Sequence, residues 1–212
     1  NSRDSRMGPL GKGWSFAGTE GLVETDAGDV KVAQADGKTY SFTRKDDGSF
    51  ASPPGHSETL FAVDNPVGGR TFALTDPYGA VTTRFRENGE VIDKIDRHGD
   101  VVAYTYAGGR LVSQANSSGE SIAYAYREDG MLDTATDSNG RATTYTYVGS
   151  NLRFARNPEH GAEGYTYNSE GLLHRATDPD GRAYVLNTFD GFGRVTDQTV
   201  GQDQTWSFAY DE

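Results

Sequence analysis

Carboxylates are the most numerous side chains in this sequence that could do chemistry. Its 212 residues include 31 Asp and Glu against 20 Lys and Arg, for a net charge of −11. Two carboxylates about 5–10 Å apart across a cleft would suit a glycoside-processing enzyme. Nearly every Asp, however, stands beside Gly in a short turn, where turn chemistry accounts for it. We therefore expect no enzymatic activity and no catalytic residue, with a glycoside-processing enzyme as the most distant alternative.

Metal-binding and nucleophilic side chains are scarce or dispersed. The chain has no Cys, and its four histidines are scattered, at His56, His98, His160 and His174. Asp178-Pro-Asp180 could begin a calcium loop, but the segment lacks the EF-hand spacing and the terminal Glu of that loop. Neither a Gly-x-Ser-x-Gly nucleophile motif nor a Walker-type phosphate loop occurs. We expect no metal and no cofactor.

An internal repeat organises the aspartates, glycines and tyrosines, and it has to be found before a fold is assigned. From residue 91 the pattern recurs every 20 to 22 residues: an apolar residue, an Asp or Asn five positions later, a Gly, and then Tyr-x-Tyr. The repeats open at Val91, Leu111, Leu132, Leu152, Leu173 and Val195. Two strands of about six residues and two turns fill such a period, so each repeat predicts one β-hairpin.

The first turn of most repeats has the composition of a type I turn. Asp or Asn at the first position can cap the turn with its side chain, and Gly takes the last position. The residues given this structural role are Asp96, Gly99, Asn116, Gly119, Asp137, Gly140, Asp178 and Gly181. Frequent glycines also break every window long enough for a helix.

The paired aromatic residues are the candidate binding surface. Alternate residues of a strand point to the same side, so both members of a pair share one face of the sheet. Aligned hairpins would form aromatic ladders, which either pack as the main burial of the sheet, the reading we favour, or stack against sugars. The ladder residues are Tyr104, Tyr106, Tyr124, Tyr126, Tyr145, Tyr147, Tyr165, Tyr167 and Trp206, with Trp206-x-Phe208 taken as the last pair.

Composition predicts a folded all-β chain. A hydrophobic share of 34% and a mean hydropathy of −0.69 favour disorder, but 12 Tyr, 10 Phe and 2 Trp oppose it. We expect burial to come largely from aromatic rings rather than from Leu, Ile and Val. The sequence divides into an extended or poorly ordered segment at 1–12, an irregular β-hairpin region at 13–90, and the repeats at 91–212.

The repeats resemble the YD repeat of the Rhs family. The likeness rests on the Tyr-x-Tyr core and on the Asp-x-x-Gly-Arg strings at Asp137–Arg141 and Asp178–Arg182. The segment Gly8–Phe16, GPLGKGWSF, is similar to the entry into such repeat regions. The resemblance implies antiparallel hairpins in a curved, spiralling sheet, a partial shell wall like that of toxin-complex components and teneurins. Asp76-Pro-Tyr-Gly79 lacks the context of the family's self-cleaving aspartyl site, so no catalytic residue is carried over.

The resemblance also implies a role and a setting. In bacterial members the shell encloses a C-terminal toxin, which predicts a secreted or cell-surface bacterial protein that encloses or displays an effector. Expected partners are the remainder of a parent chain, or a second copy bound through open sheet edges. A basic protein cargo and a glycan are further candidates. The acidic charge disfavours nucleic acid, and no apolar run approaches the roughly 18 residues of a membrane helix.

Overall fold

The fold is all-β, as the sequence predicts. A computed structural model describes residues 7–16, 18–35, 37–66, 68–76, 80–159, 161–201 and 204–211. Within these ranges every regular element is a strand and no helix occurs. There is accordingly no helix among the described residues that is long and apolar enough to span a membrane.

The described residues form 21 strands, most of them separated by tight turns. The first six are β1 (Met7–Gly8), β2 (Gly11–Lys12), β3 (Gly21–Glu24), β4 (Val30–Ala33), β5 (Thr39–Arg44) and β6 (Phe50–Ala51). Then come β7 (Thr59–Asn65), β8 (Gly69–Asp76), β9 (Val81–Arg86), β10 (Val91–Ile95), β11 (Val101–Ala107), β12 (Arg110–Asn116), β13 (Ser121–Tyr126) and β14 (Leu132–Asp137). The last seven are β15 (Ala142–Val148), β16 (Asn151–Arg156), β17 (Ala162–Tyr167), β18 (Leu173–Thr177), β19 (Ala183–Phe189), β20 (Val195–Val200) and β21 (Gln204–Ser207).

Consecutive strands pair with each other in every sheet. Across the described ranges, β1–β2 form a two-stranded sheet, β3–β6 a four-stranded sheet, and β7–β21 one open sheet of 15 strands, which we call the long sheet. Short turns allow only antiparallel neighbours, because a parallel crossover needs a dozen or more residues. The predicted antiparallel hairpins are thus confirmed, whereas the curvature predicted for the sheet stays a prediction.

The chain divides into two compact units. One takes in residues 15–123, and the other takes in residues 124 onward together with the segment that ends at Trp14. The sequence boundary at residue 90 falls inside the first unit. Of the N-terminal segment 1–12, residues 1–6 lie outside the described residues, and residues 7–12 carry β1 and β2.

Aliphatic residues dominate the buried core, so the prediction of a mainly aromatic core is wrong. Leu and Val outnumber Phe and Tyr among the buried hydrophobic residues of the described chain. The openings of four repeats, Val91, Leu111, Leu132 and Leu152, are no more than 4% exposed. In three of these repeats an aromatic residue of a neighbouring strand lies opposite the opening, at Phe85, Tyr106 and Tyr147. The aromatic rings thus lie opposite the aliphatic residues that open these repeats and do not replace them in the core.

A β-bulge recurs at the second residue of the repeats. In five repeats the pairing with the preceding strand skips the residue directly after the opening residue, at Ile92, Val112, Arg153, His174 and Thr196. A bulge adds one residue to one strand and increases the local twist. Because the side-chain period of a strand is two, each bulge also changes which residues of the repeat face the core.

Candidate functional site

The predicted turn residues form side-chain-capped turns. In the first of them, Asp96 Oδ1 accepts hydrogen bonds from the backbone N–H groups of His98 at 2.8 Å and Asp100 at 3.0 Å. Gly99 closes the turn, with a φ of 87° and its N–H bonded to the Asp96 carbonyl at 3.1 Å. The same arrangement recurs at Asn116–Gly119, Asp137–Gly140 and Asp178–Gly181. Backbone donors hold the pKa of Asp96 and Asp137 below its ordinary value, because they stabilise the carboxylate.

In three repeats a tyrosine at the second aromatic position hydrogen-bonds to the opening residue of the same repeat. Tyr147 Oη donates to the Leu132 carbonyl at 2.7 Å, and Tyr167 Oη donates to the Leu152 carbonyl at 2.9 Å. Tyr210 Oη makes the same contact with the Val195 carbonyl at 2.9 Å. In all three cases donor and acceptor are 15 residues apart. We call this contact the tyrosine latch.

The latch replaces a missing backbone hydrogen bond. Pairing between β16 and β17 ends at Phe154 and Gly164, so it does not reach the opening residue Leu152. Pairing between β14 and β15 likewise ends at Thr134 and Thr144, short of Leu132. A buried carbonyl without a donor costs roughly 1–3 kcal/mol. The phenol hydroxyl supplies that donor where the two strands separate.

The fifth repeat keeps the contact with a different residue. Its extra residue forms a bulge at Tyr184, which leaves Asn187 and Phe189 in the aromatic positions. Phe189 has no hydroxyl, and Asn187 Nδ2 instead donates to the carbonyl of the opening residue Leu173 at 2.9 Å. Asn187 is only 4% exposed, and its Oδ1 accepts a hydrogen bond from Gln198 at 2.9 Å. The amide therefore substitutes for the tyrosine latch.

Two bulge residues bond across the same gap between strands. Arg153 donates to the Tyr165 carbonyl at 2.8 Å, and His174 Nδ1 lies 2.9 Å from the Asn187 carbonyl. Tyr165 and Asn187 occupy equivalent positions in successive repeats, so both bulge residues reach the first aromatic position of their own repeat. These two bulges thus each place a polar side chain against a carbonyl on the following strand.

The N-terminal segment of the second unit lies against its tyrosines. Trp14 Nε1 donates to Tyr167 Oη at 2.9 Å, and the Trp14 ring packs edge-on against Tyr165 at 4.8 Å between centroids. The Pro9 carbonyl accepts a hydrogen bond from the Leu132 N–H at 2.7 Å, and Lys12 N–H donates to the Ser150 carbonyl at 3.1 Å. We call Met7–Trp14 the strap. Burial raises the pKa of Tyr165, with Glu163 adding to the shift.

Tyr104 and Tyr106 have a comparable cover within the first unit. Glu20 forms an ion pair with Lys94, whose ammonium group lies 5.9 Å from the centre of the Tyr104 ring. Tyr104 is 6% exposed, and burial raises the pKa of Tyr104 and of Tyr106 to about 12. A Cβ on Gly18 would come within 2.4 Å of the Leu111 side chain, which shows how closely this segment approaches the repeats.

The remaining ladder residues differ in their exposure. Tyr124, Tyr126, Tyr145 and Tyr147 are half-buried, whereas Trp206 is 60% exposed. The latch from Tyr210 to Val195 shows that Phe208 and Tyr210, not Trp206 and Phe208, occupy the aromatic positions of the last repeat. The sequence alignment of this repeat was therefore displaced by two residues, because its degenerate turn offered no Asp-x-x-Gly marker.

One cavity of the first unit gathers carboxylates. Its volume is about 410 Å³, and its lining includes Glu20, Glu58, Asp76 and Lys94 together with the apolar side chains of Leu74 and Phe85. Glu20 is paired with Lys94, and Glu58 lies 3.3 Å from His56. Residues 77–79 of the Asp76–Gly79 turn lie outside the described residues. Sequence reasoning missed this cavity because its lining comes from six separate segments.

The candidate metal ligands are occupied by other contacts. Both aspartates of Asp178-Pro-Asp180 form ion pairs with Arg182. His98 accepts a hydrogen bond from Arg97 at 3.0 Å, and His160 lies outside the described residues. Over the described part of the chain, no cluster of three or more His, Asp or Glu residues is placed to hold a metal ion.

Comparison with known proteins gives similarity to solved structures alone. No family model matches the chain. No curated protein matches it. It is similar to a chain of the Tc holotoxin pore of Photorhabdus luminescens carrying a TccC3 mutation, with 16% identity and a TM-score of 0.46 over 84% of this chain and 10% of that one. The crystal structure of TcdB2-TccC3-Cdc42 gives 12% identity and a TM-score of 0.42 over 84% of this chain and 12% of that one.

A third solved structure shows a similarity of the same low degree. The crystal structure of TcdB2-TccC3-TEV gives 14% identity and a TM-score of 0.36, over 84% of this chain and 11% of that one. The chain thus spans only about a tenth of the length of the chains it matches. At these identities and TM-scores the likeness carries no functional argument.

Proposed function

We propose that this chain is a non-catalytic wall segment of an Rhs/YD-repeat protein, either toxin-like or displayed on a cell surface. Its role would be to enclose or display another polypeptide, such as a C-terminal effector, outside the cell. The proposal draws on the repeat sequence and on consecutive hairpins that build one long sheet. The observation that carries it is the tyrosine latch, because the hydroxyls of Tyr147, Tyr167 and Tyr210 are bonded to main-chain carbonyls of the sheet itself.

The net charge of −11 favours a basic polypeptide as the enclosed partner. An expected result is salt-sensitive binding of poly-lysine and none of poly-glutamate, measured by calorimetry at several salt concentrations. Equal affinity for the two polymers would remove the basic cargo from the proposal. Light scattering after chromatography on the same samples reports whether binding changes the mass of the particle.

A glycan-binding or adhesive module is the second candidate, and exposed aromatic residues favour it. Trp206 is 60% and Phe192 78% exposed, and flat apolar rings on a surface can stack against sugars. Titration with cell-wall glycan fragments should leave the Trp206 indole resonance unchanged if the wall proposal holds. A shift of that resonance that disappears in Trp206→Ala would replace the wall proposal with a binding module.

The carboxylates that line the cavity allow a direct test of the proposal that the chain is non-catalytic. We expect no hydrolysis of glycosides by the wild-type chain. Hydrolysis that is lost in Glu58→Gln, while the variant keeps the wild-type circular dichroism spectrum, would overturn the proposal in favour of a glycoside-processing enzyme.

A further inference from the structure

The cavity of the first unit is a candidate binding site that the wall proposal does not use. Its volume of about 410 Å³ lies within the range of roughly 300–1,000 Å³ that is usual for small-molecule sites. All of the described residues that line it belong to residues 15–123, the first compact unit. The shape and the charge of the cavity are therefore properties of this unit.

Part of the cavity lining is apolar. Val32, Leu74 and Phe85 line the cavity and are only 1%, 8% and 1% exposed. We call these three residues the apolar wall. They offer water no side-chain hydrogen-bond partner, so an aliphatic group that displaces water from this wall gains affinity.

The charged part of the lining is predominantly acidic. Among the described residues, it contains the carboxylates of Glu20, Glu58 and Asp76 and one ammonium group, that of Lys94. This ammonium group is already engaged, because it forms an ion pair with Glu20. The lining thus carries an excess of negative charge, which favours a cationic ligand over an anionic one.

Local contacts hold two of the carboxylates in place. Glu20 Oε2 accepts a hydrogen bond from the Gly18 N–H at 2.6 Å, and the Glu20 side chain is 10% exposed. Glu58 Oε2 lies 3.3 Å from His56 Nδ1, and the His56 ring packs against Tyr40 at 4.0 Å between centroids. Groups that are fixed before a ligand arrives lose less conformational entropy when it binds.

An inorganic cation does not suit this arrangement. Within the part of the chain that the structure describes, no group of three or more His, Asp or Glu side chains is placed to hold a metal ion. The carboxylates instead share the lining with the apolar wall, so a fitting ligand contacts both kinds of surface. A primary alkylammonium does this, because it joins a compact charge with three donors to an aliphatic chain.

We propose that the cavity binds a primary alkylammonium group, with its aliphatic chain on the apolar wall and its charge at Glu58 and Asp76. Glu20 is not the anchor, because Lys94 already occupies it. Two sources share this chemistry, a free alkylamine and the lysine side chain of another polypeptide. The inference goes beyond the wall function and does not depend on it.

The test is a titration of the full chain with hexylammonium, followed by the backbone amide resonances in NMR. We expect saturable shifts at the lining, for example at Val32, Leu74 and Lys94. Hexanol has the same chain without the charge, and hexanoate carries the opposite charge. Both control ligands should bind roughly tenfold or more weakly, because neither makes the charge-assisted hydrogen bond. A chain that does not respond to hexylammonium, or responds equally to hexanol, would overturn the inference.

Carboxylate variants test the position of the charge. Glu58→Gln keeps the size of the side chain and removes its charge, so hexylammonium should bind roughly tenfold or more weakly. Glu120→Gln is the matched control and should bind like the wild type, because Glu120 lies in an exposed turn and bonds to Asn116. Circular dichroism checks the fold of each variant, and Asp76→Asn replaces Glu58→Gln if the latter does not fold. Unchanged affinity in a folded Glu58→Gln or Asp76→Asn chain would contradict the assignment.

A further ligand distinguishes the two sources. Lysine that is capped at both ends presents the same ammonium group on a peptide backbone. Binding as tight as that of hexylammonium assigns the cavity to polypeptide side chains, whereas binding of hexylammonium alone assigns it to free amines; either result supports the inference. A chain that binds poly-lysine but not hexylammonium lacks the cavity site, and the wall proposal stands.

Discussion

At the scale of single residues, tyrosine hydroxyls take the place of backbone donors. Tyr147, Tyr167 and Tyr210 each bond to a carbonyl that the strand ladder does not reach, and Asn187 does so in the fifth repeat. Two quite different side chains thus satisfy one backbone requirement. These repeats therefore share the need for a hydrogen-bond donor to the carbonyl of the opening residue, and they do not all meet it with an aromatic ring.

The contribution of the tyrosine latch to the free energy of unfolding can be measured by removing one hydroxyl. Tyr167→Phe removes the bond to the Leu152 carbonyl and the acceptor of Trp14 Nε1, so it should lower the free energy of unfolding by about 1–2 kcal/mol. Tyr210→Phe is the matched control. Its bond to Val195 has the same length of 2.9 Å, but the side chain is 45% exposed and water can replace the hydroxyl. Urea unfolding should show a clearly smaller loss for Tyr210→Phe, and equal losses would contradict a role for burial.

Asn187 offers a test that depends on protonation. In Asn187→Asp the amide donor is replaced by a carboxylate that faces the Leu173 carbonyl in a site only 4% exposed. We expect a loss of several kcal/mol at neutral pH, because a buried carboxylate would face the Leu173 carbonyl with only the hydrogen bond from Gln198 to stabilise its charge. A protonated Asp can donate again, so the loss should shrink toward pH values near 4, about the ordinary pKa of Asp. Urea unfolding of both chains at the two pH values measures the difference; a pH-independent loss would argue against the donor role.

Buried tyrosines predict an alkaline limit to stability. Burial raises the pKa of Tyr104 and Tyr106 to about 12, above the ordinary value of about 10. Above the ordinary pKa the unfolded chain releases protons that the folded chain retains, so the free energy of unfolding falls as the pH rises from about 10 to about 12. Urea unfolding across this range, with tyrosinate absorbance as a second signal, should show that fall. A smaller fall is expected in Tyr104→Phe, and a stability that rises over the same range would be inconsistent.

At the scale of the elements, turns and bulges set the register of each hairpin. In four repeats the capped turn before the second strand uses a Gly with positive φ, at Gly99, Gly119, Gly140 and Gly181. The bulge that follows the opening residues Val91, Leu111, Leu152, Leu173 and Val195 then adds one residue to the first strand. Together they fix which side chains of a repeat face the core.

Substitutions at two glycines distinguish the cost of backbone strain from the cost of side-chain packing. A Cβ would meet nothing within 4 Å at Gly140 or at Gly191, but only Gly140 has a positive φ. Gly140→Ala should therefore cost about 1–2 kcal/mol, the penalty of a left-handed conformation for an L-residue. Gly191→Ala should be neutral or slightly stabilising, because it reduces the entropy of the unfolded chain. Thermal unfolding of the two variants decides the matter, and an equal loss would point to a cause other than φ.

The turns and strands could be read from the sequence, but the bulges could not. Asp-x-x-Gly and Tyr-x-Tyr have local chemistry that a single sequence displays, and the hairpins follow from them. The bulge residues Ile92, Val112, Arg153, His174 and Thr196 share neither size nor polarity, so no pattern of residue types marks them. What they share is a position in the pairing, which exists only after the neighbouring strand is in place.

The candidate site was only partly visible for a similar reason. The sequence identified the tyrosines but not their acceptors, because those are backbone carbonyls 15 residues earlier. It placed Trp206 in the last aromatic pair, and the latch shows Tyr210 there instead. The cavity lined by Glu20, Glu58 and Asp76 also depends on distant segments, and nothing local in the sequence marks it.

At the scale of the whole molecule, local and distant contacts play different parts. Consecutive strands pair, so most of the long sheet joins residues that are close in sequence. The strap makes a contact of much longer range, since Trp14 and Tyr167 are 153 residues apart. Closing so large a loop costs more entropy than closing a hairpin.

This difference predicts the order of folding. Hairpin pairing should precede strap docking, because its contacts close short loops. In a Trp206→Phe variant, Trp14 is the remaining indole, and its fluorescence should change more slowly than far-ultraviolet circular dichroism grows during refolding. Trp14→Phe in the otherwise wild-type chain is the control, and this variant should lack the slow fluorescence phase. Coincident rates for the two signals would contradict this order.

The bulge at Tyr184 shows how this architecture tolerates errors in length. An added residue in a strand would ordinarily send every later side chain to the wrong face. Here the fifth repeat carries one residue more than the fourth, yet Phe189 meets Val195 just as Tyr167 meets Leu173. The bulge accommodates the extra residue within one pair of strands. The pairing register, and with it the set of residues that face the core, is therefore restored before the next hairpin begins. A lineage of such repeats can therefore accumulate small insertions while the inside and the outside of its sheet stay distinct.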